Sequence, residues 1–139
     1  MVVDADAIKA LAYWTKPGSD KLIFTPHAKE YEILAGKIPP KEFAKKRGVT
    51  ILLKGPEDYI TDGVREKRCD LGNARMCVGG TGDVLAGICG TLLAQCNDPF
   101  LSACAASFLN KRAGDILFEA KGRTYLASEI PEQFHLVLH

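Results

Sequence analysis

A glycine-rich turn directly before the longest apolar run of the chain restricts the fold more than any other feature. Gly79, Gly80 and Gly82 precede a mostly apolar stretch over residues 84–94. Glycines let the backbone fold tightly with its N–H groups turned inward, and a helix starting near Asp83 adds the positive end of its dipole. The sequence therefore predicts a turn and a helix N-terminus that together bind an anion such as phosphate.

Asp83 is the one acid in this turn. A carboxylate beside a phosphate site is electrostatically unfavourable unless it has a function, and a common function is to take a proton from a hydroxyl that attacks phosphorus. We therefore predict that Asp83 is a general base. An acid in a first helical turn is also simply a favourable dipole partner, and the residues alone leave that alternative open. The turn matches neither the P-loop pattern nor the dinucleotide-binding pattern.

The composition indicates one globular domain that folds in water, since 47% of the 139 residues are apolar and 25% are charged. The net charge is +1 and no basic run is longer than Lys45–Arg47, which argues against nucleic acid or an anionic membrane as a partner. No apolar run is long enough to span a bilayer, and no signal-like segment begins the chain. Five cysteines without a Cys-x-x-Cys pair predict buried thiols rather than a metal site. We expect a cytoplasmic protein.

Strand and helix patterns alternate along the chain. Strands are predicted at residues 1–4, 22–25 and 49–54, with a hairpin of 59–61 and 64–66 around a two-residue Asp62–Gly63 turn. Helices are predicted at residues 6–12, 26–34, 40–47, 83–96, from 99 onward and at 127–138, with Asp6, Thr25 and Asp98 as predicted caps. This alternation predicts an α/β protein with a mostly parallel sheet covered on both faces and an antiparallel hairpin at its margin.

Polar residues follow three of the predicted strands. Asp4, the segment 25–27 and the pair Lys54–Gly55 stand where those strands end. Ligands of parallel sheets bind beyond the carboxyl ends of the strands, so we expect these segments to converge. Asp4 and Asp6 either bind substrate or only cap the first helix, and both alternatives stay open.

Several motifs occur in a set order. They are Val-Val-Asp-Ala-Asp-Ala at 2–7, Thr-Pro-His at 25–27 followed by Glu30, Leu-Lys-Gly at 53–55, Asn73 with Met76, Gly-Gly-Thr-Gly-Asp-Val-Leu-Ala-Gly at 79–87, and Ala-Gly-Asp at 113–115. With these motifs the chain resembles the ADP- or ATP-dependent NAD(P)H-hydrate dehydratases, which have a ribokinase-like fold. The resemblance implies a three-layer α/β/α architecture, with residues 1–139 forming a single partial domain, the carboxyl-terminal half of the complete one.

The resemblance also implies an activity. In these lyases the hydroxyl on the hydrated nicotinamide ring of NADH or NADPH is phosphorylated and then eliminated, which repairs the dinucleotide. ADP or ATP is the co-substrate, and Mg²⁺ bridges the phosphate oxygens without a protein ligand that the sequence identifies. The residues implied at the substrate are His27, Asp83, Asp4 and Asn73. The residues implied at the adenine nucleotide are Lys54, Gly55, Pro56, Glu57, Asp58, Gly79, Gly80, Thr81 and Gly82.

One segment departs from the family pattern. Small residues and threonine commonly follow Lys-Gly in the family, whereas this chain has Pro56, Glu57 and Asp58. Two acids repel a diphosphate unless they face away from it or meet Mg²⁺.

Two other functions fit the same residues. A kinase of a small alcohol, such as a sugar or vitamin precursor, uses a similar turn and base. A non-catalytic nucleotide-binding module fits a partial domain. The partners we expect are small molecules. An open sheet edge at the first strand also predicts a homo-oligomer or association with the missing amino-terminal half.

Overall fold

A computed structural model describes residues 1–11, 21–96 and 98–138 of the chain. Within them, strands β1 to β5 span Val2–Val3, Ile23–Phe24, Thr50–Leu53, Asp58–Thr61 and Glu66–Cys69. Helices α1 to α6 span Asp6–Leu11, Ala28–Ala35, Pro40–Arg47, Thr81–Cys96, Pro99–Lys121 and Phe134–Val137. The predicted first helix extended to Ala12, which lies outside the described residues.

The strands form one sheet in the order β1-β2-β3-β4-β5. The first three strands are parallel, with Val3 opposite Phe24 and Phe24 opposite Ile51. The last two are antiparallel to their neighbours, with Leu52 opposite Ile60. The prediction of a mostly parallel sheet with an antiparallel hairpin at its margin is confirmed.

Helices cover both faces of this sheet because apolar side chains alternate along each strand. Ile23 and Leu52 belong to a core cluster that includes residues of α4 and α5. Their neighbours Phe24 and Ile51 belong to a second cluster, with residues of α1, α2 and α3. The described residues therefore form three layers, helix on sheet on helix.

The predicted helix at 127–138 is wrong. That segment consists of 3₁₀-helices at Ala127–Glu129 and Pro131–Gln133, followed by α6. Ile130 is completely buried in a small cluster beneath α5, and the Glu129 carboxylate accepts a hydrogen bond from the Leu126 N–H at 2.7 Å. Pro131 has no N–H to continue a helix, so tertiary burial and proline together override the helical pattern.

The hairpin turn is longer than predicted. Residues 62–65 separate the paired Thr61 and Glu66, and the Asp62 N–H donates to the Arg65 carbonyl at 3.3 Å. Gly63 packs against α3 with φ +90°, where an added Cβ would lie 2.4 Å from a backbone nitrogen of that helix. Only glycine fits there, because both the space and the left-handed backbone exclude a side chain.

Thiols differ in their exposure. Cys69, Cys77, Cys89 and Cys104 are free, and Cys77 is exposed, contrary to the expectation of burial. Cys89 is completely buried, and burial raises the pKa of its thiol to about 12, so it stays protonated at neutral pH. Across the described ranges, no helix combines the length and hydrophobicity needed to cross a membrane. The cytoplasmic location stays a prediction.

Candidate active site

Three strand ends converge as predicted, and an ion pair joins two of them. Lys54 Nζ lies 2.7 Å from Asp4 Oδ1 and 4.0 Å from Glu30 Oε2. The Thr25 hydroxyl donates to Asp4 Oδ1 at 2.8 Å, and the Lys54 N–H donates to the Pro26 carbonyl at 2.8 Å. All three charged side chains are mostly buried, at 21% exposure for Lys54, 15% for Asp4 and 11% for Glu30. Low exposure strengthens the attraction of the Lys54 ammonium to each of the two carboxylates, which holds Lys54 between them.

His27, rather than Thr25, caps helix α2. Its Nδ1 accepts hydrogen bonds from the N–H groups of Lys29 and Glu30 at 3.2 and 3.3 Å, and Glu30 Oε2 accepts from the His27 N–H. The predicted Thr25 cap is wrong because its hydroxyl is engaged by Asp4. With Nδ1 an acceptor, the proton of the neutral ring sits on Nε2, 3.4 Å from Glu30 Oε1. The ring is half-exposed, with its Nε2 beside the Glu30 carboxylate.

The glycine-rich turn opens α4, as expected. Gly80 has φ +94°, and the Val84 N–H donates to the Gly80 carbonyl at 3.0 Å. The Thr81 hydroxyl lies 2.7 Å from the Met76 carbonyl oxygen, which fixes the entry to the helix. Within the described ranges, the N–H groups of Gly82 and Asp83 have no hydrogen-bond acceptor. They are two of the donors that every helix start leaves free, and they carry the positive end of the α4 dipole.

Gly82 brings the start of α4 next to the ion pair. A Cβ built on Gly82 would lie 3.5 Å from Lys54 Nζ and 3.9 Å from Asp4 Oδ2. The unpaired amides and the lysine ammonium therefore flank the same space, and both favour an anion there.

A cavity of about 620 Å³ opens beside this space, a volume typical of small-molecule sites. Its polar lining includes His27, Lys54, Asn110 and Lys111, and its apolar lining includes Leu71, Ala74, Met76, Val78 and Leu85. Asn110 Oδ1 is buried and has no hydrogen-bond partner among the described residues. A buried acceptor without a hydrogen bond costs free energy, and it is typical of a site where a ligand donates a hydrogen bond.

The acids of the divergent segment do not point freely into this cavity. Asp58 is buried, and its carboxylate accepts hydrogen bonds from the Gly55 N–H at 3.0 Å and the Ser107 hydroxyl at 2.8 Å. Lys111 Nζ lies 3.3 Å from Asp58 Oδ1. Glu57 is exposed and forms an ion pair with Arg68. Both negative charges are thus balanced by protein cations, which reduces their repulsion of a diphosphate.

Asn73 has every polar atom of its side chain engaged. Nδ2 donates to the Gly114 carbonyl and to Asp115 Oδ1, at 3.0 and 3.1 Å. Oδ1 accepts from the Arg75 N–H and the Tyr125 hydroxyl, both at 3.1 Å. In this geometry Asn73 fastens the cavity wall to α5, and a direct role at substrate stays a prediction.

Asp83 stands outside the cavity lining, on the exposed side of the first turn of α4. No hydrogen bond or ion pair engages its carboxylate within the described parts of the chain. A carboxylate with free lone pairs is able to take a proton, so the geometry is compatible with the predicted base. Gly79 and Gly80 also lie outside the lining, and their contact with nucleotide stays a prediction.

Comparison with known proteins identifies the family. The family model described as NAD(P)H-hydrate dehydratase matches residues 1–135. The chain belongs to the NAD(P)H-hydrate dehydratase family. A bifunctional NAD(P)H-hydrate repair enzyme of Methanocaldococcus jannaschii is 43% identical over 138 residues, which is 99% of this chain and 27% of that protein.

Solved structures of relatives share the fold. An ADP/ATP-dependent NAD(P)H-hydrate dehydratase of Bacillus subtilis, co-crystallised with ATP and Mg²⁺, is 26% identical with a TM-score of 0.84, and the match covers 99% of this chain and 53% of that one. A ribokinase-like superfamily protein of Enterococcus faecalis is 29% identical with a TM-score of 0.82, over 99% and 51% of the two chains. The predicted ribokinase-like α/β fold is confirmed. The chain spans about a quarter of the curated archaeal relative and about half of each of these two structures.

Sequence reasoning missed Asn110 and Lys111 on the cavity wall of this family member. A signal was present, because helical spacing places both residues on the side of α5 that carries Ala106, Ala113 and Gly114. A lysine among small residues on a buried helix face is unusual and calls for a charged or carbonyl partner.

The residues that the structure describes in this dehydratase-family chain do not form a dedicated metal cage. No cluster of three His, Cys, Asp or Glu side chains occurs within residues 1–11, 21–96 and 98–138. Mg²⁺ commonly keeps several waters and binds through substrate phosphates with one or two carboxylates. The donor set fits a Mg²⁺ ion that is held mainly by nucleotide phosphates, because Asp4 and Asp58 are already engaged with lysines.

Proposed function

We propose that this chain binds ADP or ATP and carries the phosphoryl-transfer centre of a nucleotide-dependent NAD(P)H-hydrate dehydratase. The hydroxyl of the hydrated nicotinamide ring would attack the terminal phosphorus of the nucleotide, and the bond to the leaving nucleotide would break. The phosphate would then leave the ring carbon while the neighbouring ring carbon loses a proton, and the double bond formed between them restores NADH or NADPH. The proposal includes residues 1–139 as one part, the carboxyl-terminal half, of a larger ribokinase-like domain.

The observation that carries this proposal is the set of phosphate donors at the start of α4, with Asp83 in the same helical turn but outside the cavity lining. The free N–H groups of Gly82 and Asp83 and the ammonium of Lys54 flank one space, and the cavity opens beside it. An exposed carboxylate stands in the same helical turn. Donors for a phosphate and an acceptor for a hydroxyl proton are the two requirements of phosphoryl transfer to an alcohol.

Each residue has a proposed part in the reaction. Asp83 would take the proton of the attacking hydroxyl, and the amides of the turn, that of Gly82 above all, would stabilise charge on the phosphoryl group. His27 would donate from Nε2 to the nicotinamide substrate, while Lys54 would orient the phosphates. Mg²⁺, bound with the nucleotide, would neutralise phosphate charge. The Bacillus subtilis relative co-crystallised with ATP and Mg²⁺ supports this choice of co-substrate.

The test separates binding from turnover. The chain is mixed with ADP or ATP, Mg²⁺ and hydrated NADH, and the return of NADH absorbance is followed, while nucleotide binding is measured by calorimetry. Asp83→Asn should abolish turnover and keep nucleotide affinity. The matched control is Asp70→Asn, an exposed acid outside the cavity lining, which should change neither quantity.

Four outcomes would contradict the proposal in different ways. Full activity of Asp83→Asn would remove the base from its role. A stable phosphorylated alcohol without NADH would favour the kinase alternative. Nucleotide binding without any turnover at high protein concentration would favour a binding module, and absence of nucleotide binding would refute all of these readings.

A further inference from the structure

Lys111 has an unusual environment, because lysine side chains are mostly exposed at protein surfaces. Its side chain is 8% exposed, yet it stands on α5 with its ammonium at the cavity wall. Nζ donates to the carbonyl oxygens of Pro56 at 2.8 Å, Gly55 at 3.1 Å and Cys69 at 3.2 Å. A lysine ammonium has three N–H groups, so these carbonyls can use all of them.

Asp58 completes this arrangement on the opposite side. Its Oδ1 lies 3.3 Å from Lys111 Nζ and also accepts from the Gly55 N–H, while Oδ2 accepts from Ser107, one turn before Lys111 on α5. Burial of a lysine costs free energy unless its charge is paired and hydrogen-bonded, and both conditions are met here. Lys111 and Asp58 both bind the same element, the turn of residues 54–57 between β3 and β4.

That turn and the residues after β5 form adjoining parts of the cavity wall. Gly55, Pro56, Leu71 and Gly72 all line the cavity. The Lys111 stem lies over Gly72, since a Cβ there would be 3.2 Å from Lys111 Cγ. The Lys111 side chain thus contacts both parts of the wall. The backbone hydrogen bonds between β4 and β5 do not join these two parts, because the pairing of the strands begins at Asp58 and Cys69.

We propose that Lys111 is a positioning residue for the nucleotide, acting by holding the Gly55–Asp58 turn in its binding geometry. The inference rests on the proposed function, since it requires that ADP or ATP occupies this cavity. The N–H groups of the Lys111 ammonium bind carbonyl groups of the protein, so Lys111 acts on the nucleotide through the Gly55 and Pro56 backbone. Without the ammonium, the two carbonyls and the Asp58 carboxylate lose their common partner, and the turn samples other conformations before it binds ligand.

The test compares Lys111→Met with Arg112→Met, the neighbouring residue, whose side chain is 43% exposed and pairs with Glu119. Calorimetry with ADP and Mg²⁺ should show at least a tenfold rise in Kd for Lys111→Met and no change for Arg112→Met. Hydrogen exchange should show loss of protection at the Gly55 amide in Lys111→Met alone. In turnover assays, KM for the nucleotide should rise, while KM for hydrated NADH stays within twofold.

A second variant keeps the proposal testable if Lys111→Met does not fold. Ser107→Ala removes one bond to Asp58 and leaves Lys111 in place, so it should raise the Kd of ADP by a few fold and increase exchange at Gly55. If folded Lys111→Met, or Ser107→Ala, bound ADP with the Kd of the wild type, this inference would be overturned and the proposed function would stand. Absence of ADP and ATP binding by the wild-type chain would instead refute the proposed function, and this inference with it.

Discussion

Replacement of Gly82 by alanine separates the binding role of the helix start from its structural role. The added Cβ would lie 3.5 Å from Lys54 Nζ and 3.9 Å from Asp4 Oδ2, which are ordinary contact distances. The chain should therefore fold normally, with an unfolding free energy equal to the wild type or a few tenths of a kcal/mol higher, as alanine favours helix over glycine. The methyl group, however, would occupy the space between the free amides and Lys54, where we place a phosphate oxygen.

The expected loss of affinity follows from the bonds that this methyl group displaces. A hydrogen bond to a charged group contributes about 1.5–3 kcal/mol, and each 1.4 kcal/mol is a factor of about ten in Kd. Gly82→Ala should thus raise the Kd of ADP by about 10- to 100-fold, measured by calorimetry in the presence of Mg²⁺. Gly87→Ala is the matched control, because it lies in the same helix with no atom within 4 Å of its added Cβ. It should stabilise the fold by about 1 kcal/mol and leave Kd unchanged.

The result that would refute this reasoning is a Gly82→Ala chain that binds ADP as the wild type does. Such a chain would show that phosphate does not approach the first turn of α4. A Gly82→Ala chain that is itself unfolded would contradict the steric analysis instead, and circular dichroism distinguishes the two results.

Three further predictions concern other parts of the molecule. Gly63→Ala should lower the unfolding free energy in urea by about 3 kcal/mol through clash and left-handed strain, whereas Gly48→Ala, with φ +64° and no close atom, should cost only about 1 kcal/mol; equal losses would contradict this. Hydrogen bonds from Arg65 lower the pKa of Asp98, so their contribution is present above the unfolded pKa and is lost as pH falls through the lower folded pKa. Arg65→Met should therefore lose about 0.5–1 kcal/mol at pH 7 and less as pH falls below the unfolded pKa of Asp98, and an equal loss at pH 7 and in acid would refute the pairing. Exposed Cys77 lines the cavity, so ADP with Mg²⁺ should slow its maleimide labelling several-fold by mass spectrometry, and an unchanged rate would place the nucleotide elsewhere.

The sequence predicted correctly those elements whose formation depends on residues close together in the chain. Asp98 and Pro99 begin α5 as expected, because a side-chain cap and a proline in the first turn act within a few residues. The convergence of Asp4 with Lys54 also followed from the sequence, since the rule for parallel strand ends needs only the order of the elements.

Predictions failed where a distant partner decides the geometry. The Thr25 hydroxyl could cap a helix, but Asp4, 21 residues away, engages it, and His27 caps instead. The carbonyl groups that bind the Lys111 ammonium lie 42 to 56 residues away in sequence, so no window of helical length reveals them. In both cases a polar side chain has several possible partners, and the tertiary packing determines which of them it binds.

The Asp4–Lys54 pair also links the geometry of the candidate site to the correct alignment of the sheet. Asp4 follows β1 directly and Lys54 follows β3, with β2 lying between the two strands. A shift of β1 by one residue would move Asp4 by about 3.3 Å and turn its side chain to the opposite face. Misaligned chains would therefore lack the ion pair even if their helices were intact. Under the proposed function, the number of nucleotide sites per chain in a refolded sample would then measure the fraction of molecules whose strands have paired in register.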